Sequence, residues 1–322
     1  VVQQLRSGIR AALVPLGGLA LTYLLAVLTP WGRTLDTLSS HGRIGTGWSV
    51  RTADLIVLET ISVATLGLAL AALVLVGGLR GRWKLGLRST AAVIGAIVSA
   101  ELLKHTLPSH DQWTGQWSLI SGGSFPSGHA VVVTSISLAV LSISSDSWRR
   151  RLVGPLVAGT AIATTATVTL GWHRPSDVVG SLFLATAWHR AMRAGQPADR
   201  RLRAMLPRPA LQRLARPRPA APRPGGSRVA LPRPAIAWLQ VRLPTAETAI
   251  WWAGACALIL GGALEGALTG ARYGGLASVA YVCSLAVVLA GVLLTIALAL
   301  RPVPAALPRT GAGPRPGSLL GR

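Results

Sequence analysis

The sequence predicts an all-α protein, a polytopic membrane bundle of eight transmembrane helices. Three observations predict it. Hydrophobic residues make up 51% of the 322 positions, although the formal net charge is +22. They gather into runs near the ~20 residues that a helix needs to cross a bilayer. The basic residues fall between those runs, in short loops and one long segment. A soluble chain this basic would be read first as a nucleic-acid binder. Its alternation of spans and basic loops excludes that class, and no nucleic-acid partner is expected.

The spans are taken in order. Residues 8–29 form the first; the run is too long for a removable signal peptide and lacks its small-residue cleavage pattern. Residues 53–78 and 89–107 form the next two, separated by Arg80-Gly81-Arg82-Trp83-Lys84. Residues 128–145, 152–171 and 176–192 complete a unit of six, and 246–270 and 275–300 form a later pair. Basic residues favour the cytoplasmic side. Arg80 to Lys84, Arg149-Arg150-Arg151, the segment after span six and both termini share one side of this topology. Both termini are therefore expected in the cytoplasm, and the loops 30–52, 108–127, 172–175 and 271–274 outside. Arg33, Arg43 and Arg51 in loop 30–52 run against the pattern.

Four regions follow: a six-span unit at 1–192, an Arg/Pro-rich cytoplasmic linker at 193–245, a two-span membrane hairpin at 246–300, and a basic disordered tail at 301–322. Prolines such as Pro217, Pro219 and Pro224 deny the linker long helices, and its self-repelling charge disfavours a core. Its arginines suit anionic membrane lipids, each basic residue contributing about 1 kcal/mol near the surface. The same charge also suits a plain topology anchor. Residues 230–242 can form a short interfacial helix. Cys256 and Cys283 fall inside spans seven and eight and are expected as buried free thiols, with a disulfide the alternative if those helices touch.

Residues with chemical potential concentrate in the six-span unit. Thirty arginines accompany only two lysines, and one of these, Lys104, lies at the outer end of span three. A charge at that depth faces a partner or a watery cavity, snorkels to the headgroups, or pairs with Glu101 one turn earlier. Pro126-Ser127-Gly128-His129 precedes an apolar run, so a helix begins there. Its first-turn amides favour an anion, Ser127 can add a hydroxyl donor, and His129 can give a proton to a departing oxygen. An ordinary capped helix with an interfacial histidine would read the same way. In Trp172-His173-Arg174-Pro175-Ser176-Asp177, Pro175 suits the first helical turn. Asp177 can then hold one imidazole nitrogen of His173 and leave the other free to attack.

Together these residues resemble the type 2 phosphatidic acid phosphatase superfamily of membrane lipid phosphatases. That family carries a lysine followed by Arg-Pro, then Pro-Ser-Gly-His, then an arginine upstream of His-x-x-x-Asp. The resemblance covers approximately residues 53–192. The second piece is complete at 126–129, His173 and Asp177 supply the third, and Lys104 heads the first. Both arginines are missing: Ser109 stands in Leu107-Pro108-Ser109-His110-Asp111, and Thr167 stands six residues before His173. Two bidentate phosphate contacts are thereby lost; Arg174, His105 and His110 are the nearest substitutes in sequence.

The resemblance implies a six-helix core, to which the apolar runs at 246–270 and 275–300 add two C-terminal spans. It implies a catalytic set of His173 as nucleophile, His129 as acid and Asp177 as its support. Lys104, Ser127 and Gly128 would bind phosphate, with Arg174, His110 and Ser109 nearby, and neither metal nor cofactor would be needed. The substrate would be a lipid phosphate taken at the extracytoplasmic face. Arginine over lysine and abundant alanine point to a GC-rich bacterial genome, hence to the plasma membrane and to a polyprenyl-linked phosphate first among the lipids. A phosphotransferase on the same fold and a non-catalytic lipid-phosphate-binding scaffold are the alternatives.

Overall fold

The computed structural model describes residues 2–43, 46–108, 124–193 and 275–300. Nine α-helices run through them, with no strand among the described residues. They are α1 (Val2–Thr22, continued by a π-helical turn, Tyr23–Leu28), α2 (Pro30–Gly42), α3 (Trp48–Glu59), α4 (Val63–Leu79) and α5 (Trp83–Thr106). Then come α6 (Gly128–Ile143), α7 (Asp146–Thr169), α8 (Pro175–Arg193) and α9 (Gly275–Leu300). Among the described residues four helices are long and apolar enough to cross a membrane, or five if α3 and α4 count as one bent span. The chain is thus a polytopic helical bundle suited to a multi-pass membrane protein. The predicted span 246–270, the linker from 194 onward, the basic tail, Ser109 and His110 lie outside the described residues.

Helix α8 is the centre of the bundle and packs against α1, α5, α6 and α9. Its polar residues follow from that position, because Ser176, Asp177, Ser181, Thr186 and His189 are all buried in protein. Hydroxyls tie the helices together, with Ser137 to Thr160 at 2.9 Å, Ser39 to Ser284 at 2.7 Å and Thr169 to Tyr281 at 2.9 Å. Such interhelical bonds add cohesion where lipid supplies no hydrophobic drive between helices. Helix α9 is part of this core: Tyr281, Leu285, Val288 and Val292 are buried beside Leu138, Val157 and Leu182.

One end of the bundle is held by arginines. Arg149 donates to the carbonyls of Leu141 and Ser144 at 3.0 and 3.1 Å, and Arg80 to that of Ile143 at 3.3 Å. They satisfy the last carbonyls of α6, which have no amide partner within the helix. Arg190 of α8 joins two more helices by donating to Ala11 at 2.9 Å and to Leu298 at 2.5 Å. His129 and His173 lie at the opposite end of α6 and α8.

Three expectations are corrected. The span read at 53–78 is broken at Thr60-Ile61-Ser62 into α3 and α4, which meet at 54°. Hydroxyls compete for the backbone there: Thr60 bonds the Val57 carbonyl at 2.6 Å, and Ser62 and Thr65 form a reciprocal capping box. The segment read as loop 30–52 is largely helical. Thr29 caps α2 by accepting from Gly32 at 3.0 Å, and Pro30 occupies the first helical position, where its missing amide costs nothing. Finally, Cys283 is exposed, on the outward side of α9, while Cys256 lies outside the described residues.

Candidate active site

The site is assembled from the ends of α5 and α7 and the starts of α6 and α8. The α7–α8 turn is closed by Gly171, at φ +72, a conformation that costs glycine little. Its amide bonds the Val168 carbonyl at 2.9 Å and that of Trp172 bonds Thr167 at 3.0 Å, the Schellman pattern. The His173 amide shares the Thr167 carbonyl at 3.2 Å. Arg43, at the end of α2, lies against this turn: a Cβ on Gly171 would stand 2.1 Å from its Cζ. Burial, and then Arg51, pull the Arg43 guanidinium below its ordinary pKa, with Tyr281 opposing.

Pro175 begins α8, and the capping is done by Asp177. Its Oδ2 accepts the Arg174 amide at 2.9 Å, leaving the carboxylate buried at the helix N-terminus. The same oxygen faces His173 Nδ1 at 3.6 Å, slightly beyond hydrogen-bond distance. One carboxylate thus caps the helix and faces the imidazole. The Pro126–His129 segment is stitched to this turn. The Ser127 amide donates to the Asp177 carbonyl at 3.2 Å, and the Ser181 hydroxyl reaches the Ser127 carbonyl at 2.9 Å. Phe125 packs over Gly180, where a Cβ would come within 2.5 Å of its ring.

These ties bring the two histidines together. The His129 and His173 rings are 6.5 Å apart between centroids, with Trp172 against His129 at 5.4 Å. Both line a pocket of about 330 Å³ with Lys104, Glu101 and Gly128. Lys104 Nζ contacts Glu101 Oε1 at 2.7 Å and lies 3.1 Å from where a Gly128 Cβ would be. The rest of the lining is largely apolar, with Ile61, Val63, Leu66, Ile97 and Val132, and Ser62 sits at the α3–α4 break. The arrangement suits an anionic headgroup on a hydrocarbon tail.

Of the residues singled out in the sequence, His129, His173, Lys104 and Gly128 line this pocket, with Asp177 directly behind His173. Ser127 does not line it; it is fully buried, its hydroxyl accepting the Ala130 amide at 3.4 Å. The amides of Gly128 and His129 stand in the first turn, where the helix supplies no carbonyl for them. Arg174 does not line the pocket either, being 5% exposed. Thr167 is buried in α7, its hydroxyl on the Thr164 carbonyl at 2.7 Å. Sequence reasoning missed Arg43 behind the histidine turn and Asp36, whose carboxylate accepts the Ser176 hydroxyl at the start of α8. Both come from the segment expected to be a loop; the signal for it was Thr29-Pro30, a cap followed by proline.

Residues 99–201, which hold Glu101, Lys104, both histidines and Asp177, match the family model described as PAP2 superfamily. No curated protein and no solved structure matches the chain.

Proposed function

Since residues 99–201 belong to the PAP2 superfamily, we propose that the chain is an integral membrane lipid phosphatase. It removes phosphate from a lipid phosphomonoester or diphosphate, with polyprenyl phosphates the first choice, at the extracytoplasmic face of the bacterial plasma membrane. The observation that carries this reading is the pair of imidazoles, His129 and His173, 6.5 Å apart in one pocket with Lys104. The arginine-rich end of the bundle lies at the far end of α6 and α8, which supports placing the pocket outside.

Asp177 faces Nδ1 of His173, so Nε2 is the nitrogen free to react. Nε2 attacks phosphorus and forms an N–P bond while the P–O bond to the leaving group breaks. The electron pair departs on that oxygen, which takes a proton from His129. Lys104 and the first-turn amides of α6 hold the non-bridging oxygens, where charge is concentrated in the transition state. Asp177 stabilises the imidazolium-like phosphohistidine. Water then attacks phosphorus, giving its proton to His129, and the N–P pair returns to Nε2. Phosphate leaves and both histidines are restored.

The test is phosphate release by purified protein from farnesyl phosphate and phosphatidic acid, beside His173→Ala. Release by the wild type alone, with label trapped on His173 after an alkaline quench, is the expected result. Equal release by both proteins would overturn the assignment. Transfer of the trapped phosphate to an added alcohol in preference to water would instead make the protein a phosphotransferase.

A further inference from the structure

Glu101 has no part in the reaction above, yet its carboxylate stands in the pocket wall. It is 53% exposed and holds the Lys104 ammonium at 2.7 Å. Both groups press on the first residue of α6: a Cβ on Gly128 would lie 3.1 Å from Lys104 Nζ and 3.7 Å from Glu101 Oε1. Among the described residues lining the pocket, Lys104 is the one permanent cation and Glu101 the one permanent anion. Their formal charges cancel before any substrate arrives.

A phosphoryl group entering this pocket has to share or displace the Glu101–Lys104 contact. One phosphate can do so, because the ammonium retains two further N–H donors and first-turn amides stand beside it. Additional negative charge meets the carboxylate with no second permanent cation in the described lining to offset it. Unit charges a few ångströms apart interact strongly where water is partly excluded. The pocket therefore filters by charge. Building on the phosphatase reading, we propose that Glu101 is a specificity-determining residue. It limits the headgroup charge the site accepts, so that the pocket favours a lipid monophosphate over a lipid diphosphate.

The experiment compares farnesyl phosphate with farnesyl diphosphate for wild type, Glu101→Gln and Glu101→Ala. In parallel, calorimetry measures binding of inorganic phosphate and pyrophosphate to the same proteins in detergent. The diphosphate has the better leaving group, so the readout is the change in the kcat/KM ratio between proteins. Both variants should shift that ratio toward the diphosphate by about tenfold, through KM, as expected for removing one like charge at this range. Pyrophosphate binding should tighten about tenfold more than phosphate binding. An unchanged ratio, or equal weakening of both anions because Glu101 merely props Lys104, would overturn the proposal. So would failure of every protein to bind either anion. If wild type turns over neither substrate, the phosphatase reading falls alone, and the two binding constants still decide the role of Glu101.

Discussion

Arg190 and Ala11 are joined by a hydrogen bond of 2.9 Å from Nε to the main-chain carbonyl. Ala11 stands four residues before Pro15, which lies inside α1 and has no amide to return to that carbonyl. An orphaned carbonyl in hydrocarbon is costly, and a side chain from the central helix removes the cost. Arg190→Met should therefore destabilise the bundle by about 1–3 kcal/mol, the usual effect of stranding a buried acceptor. Chemical denaturation in mild detergent measures it. Pro15→Ala in the same background should recover part of the loss, since it restores an amide to Ala11. Additive losses in the double variant would disprove the link.

Asp177→Asn should leave the α8 cap largely in place, because an amide oxygen can still accept from the Arg174 amide. It cannot stabilise a positively charged His173. Loss of a charge in that role should lower kcat by about two to four orders of magnitude, with KM little changed. Steady-state phosphate release, with circular dichroism as a check on folding, tests this.

His129→Gln should be harmful in proportion to the basicity of the leaving oxygen. General-acid assistance is worth about 10²–10⁴ in rate, so a lipid alcohol should suffer most. p-Nitrophenyl phosphate, whose leaving group needs no proton, should still give a burst of nitrophenolate in this variant and no burst in His173→Ala. Turnover after the burst should be slow, because His129 also takes the proton from water. A series of aryl phosphates against both variants gives the comparison, and equal slopes would remove His129 from the role of acid.

Gly171→Ala places a Cβ at φ +72 and 2.1 Å from the Arg43 guanidinium carbon. The left-handed backbone alone costs about 1–2 kcal/mol, and Arg43 must also be displaced. Thermal unfolding should shift downward, and kcat should fall because Trp172 and His173 follow directly. Arg43→Ala combined with Gly171→Ala should relieve the clash and leave only the backbone cost.

Much of the site could be read without coordinates, and the reason is local. Pro126 to His129 and His173 to Asp177 are short stretches in which chemistry and helix starts coincide. Fold class was legible from runs of apolar residues, which report what lipid requires of a helix. What escaped was non-local or small in scale. The α3–α4 break rests on the hydroxyls of Thr60, Ser62 and Thr65, a detail that averaging hydropathy over a span erases. Helix α2 carries Arg33 and Asp36, is followed directly by Arg43, and looks like a loop until Ser176, 140 positions on, is seen against Asp36. Arg174 neighbours His173 in sequence, yet its side chain is buried and stands outside the pocket lining.

Helix α8 is fastened twice, by Arg190 to two neighbours at one extremity and by Ser176 to Asp36 at the other. The His173 imidazole therefore stands beside a helix that is tied to its neighbours at both ends. The same pocket is lined by Ile61, Ser62 and Val63 from the break at which α3 and α4 meet at 54°. The pocket is thus lined from two unlike sources, a straight helix fastened at both ends and the bend of a broken span.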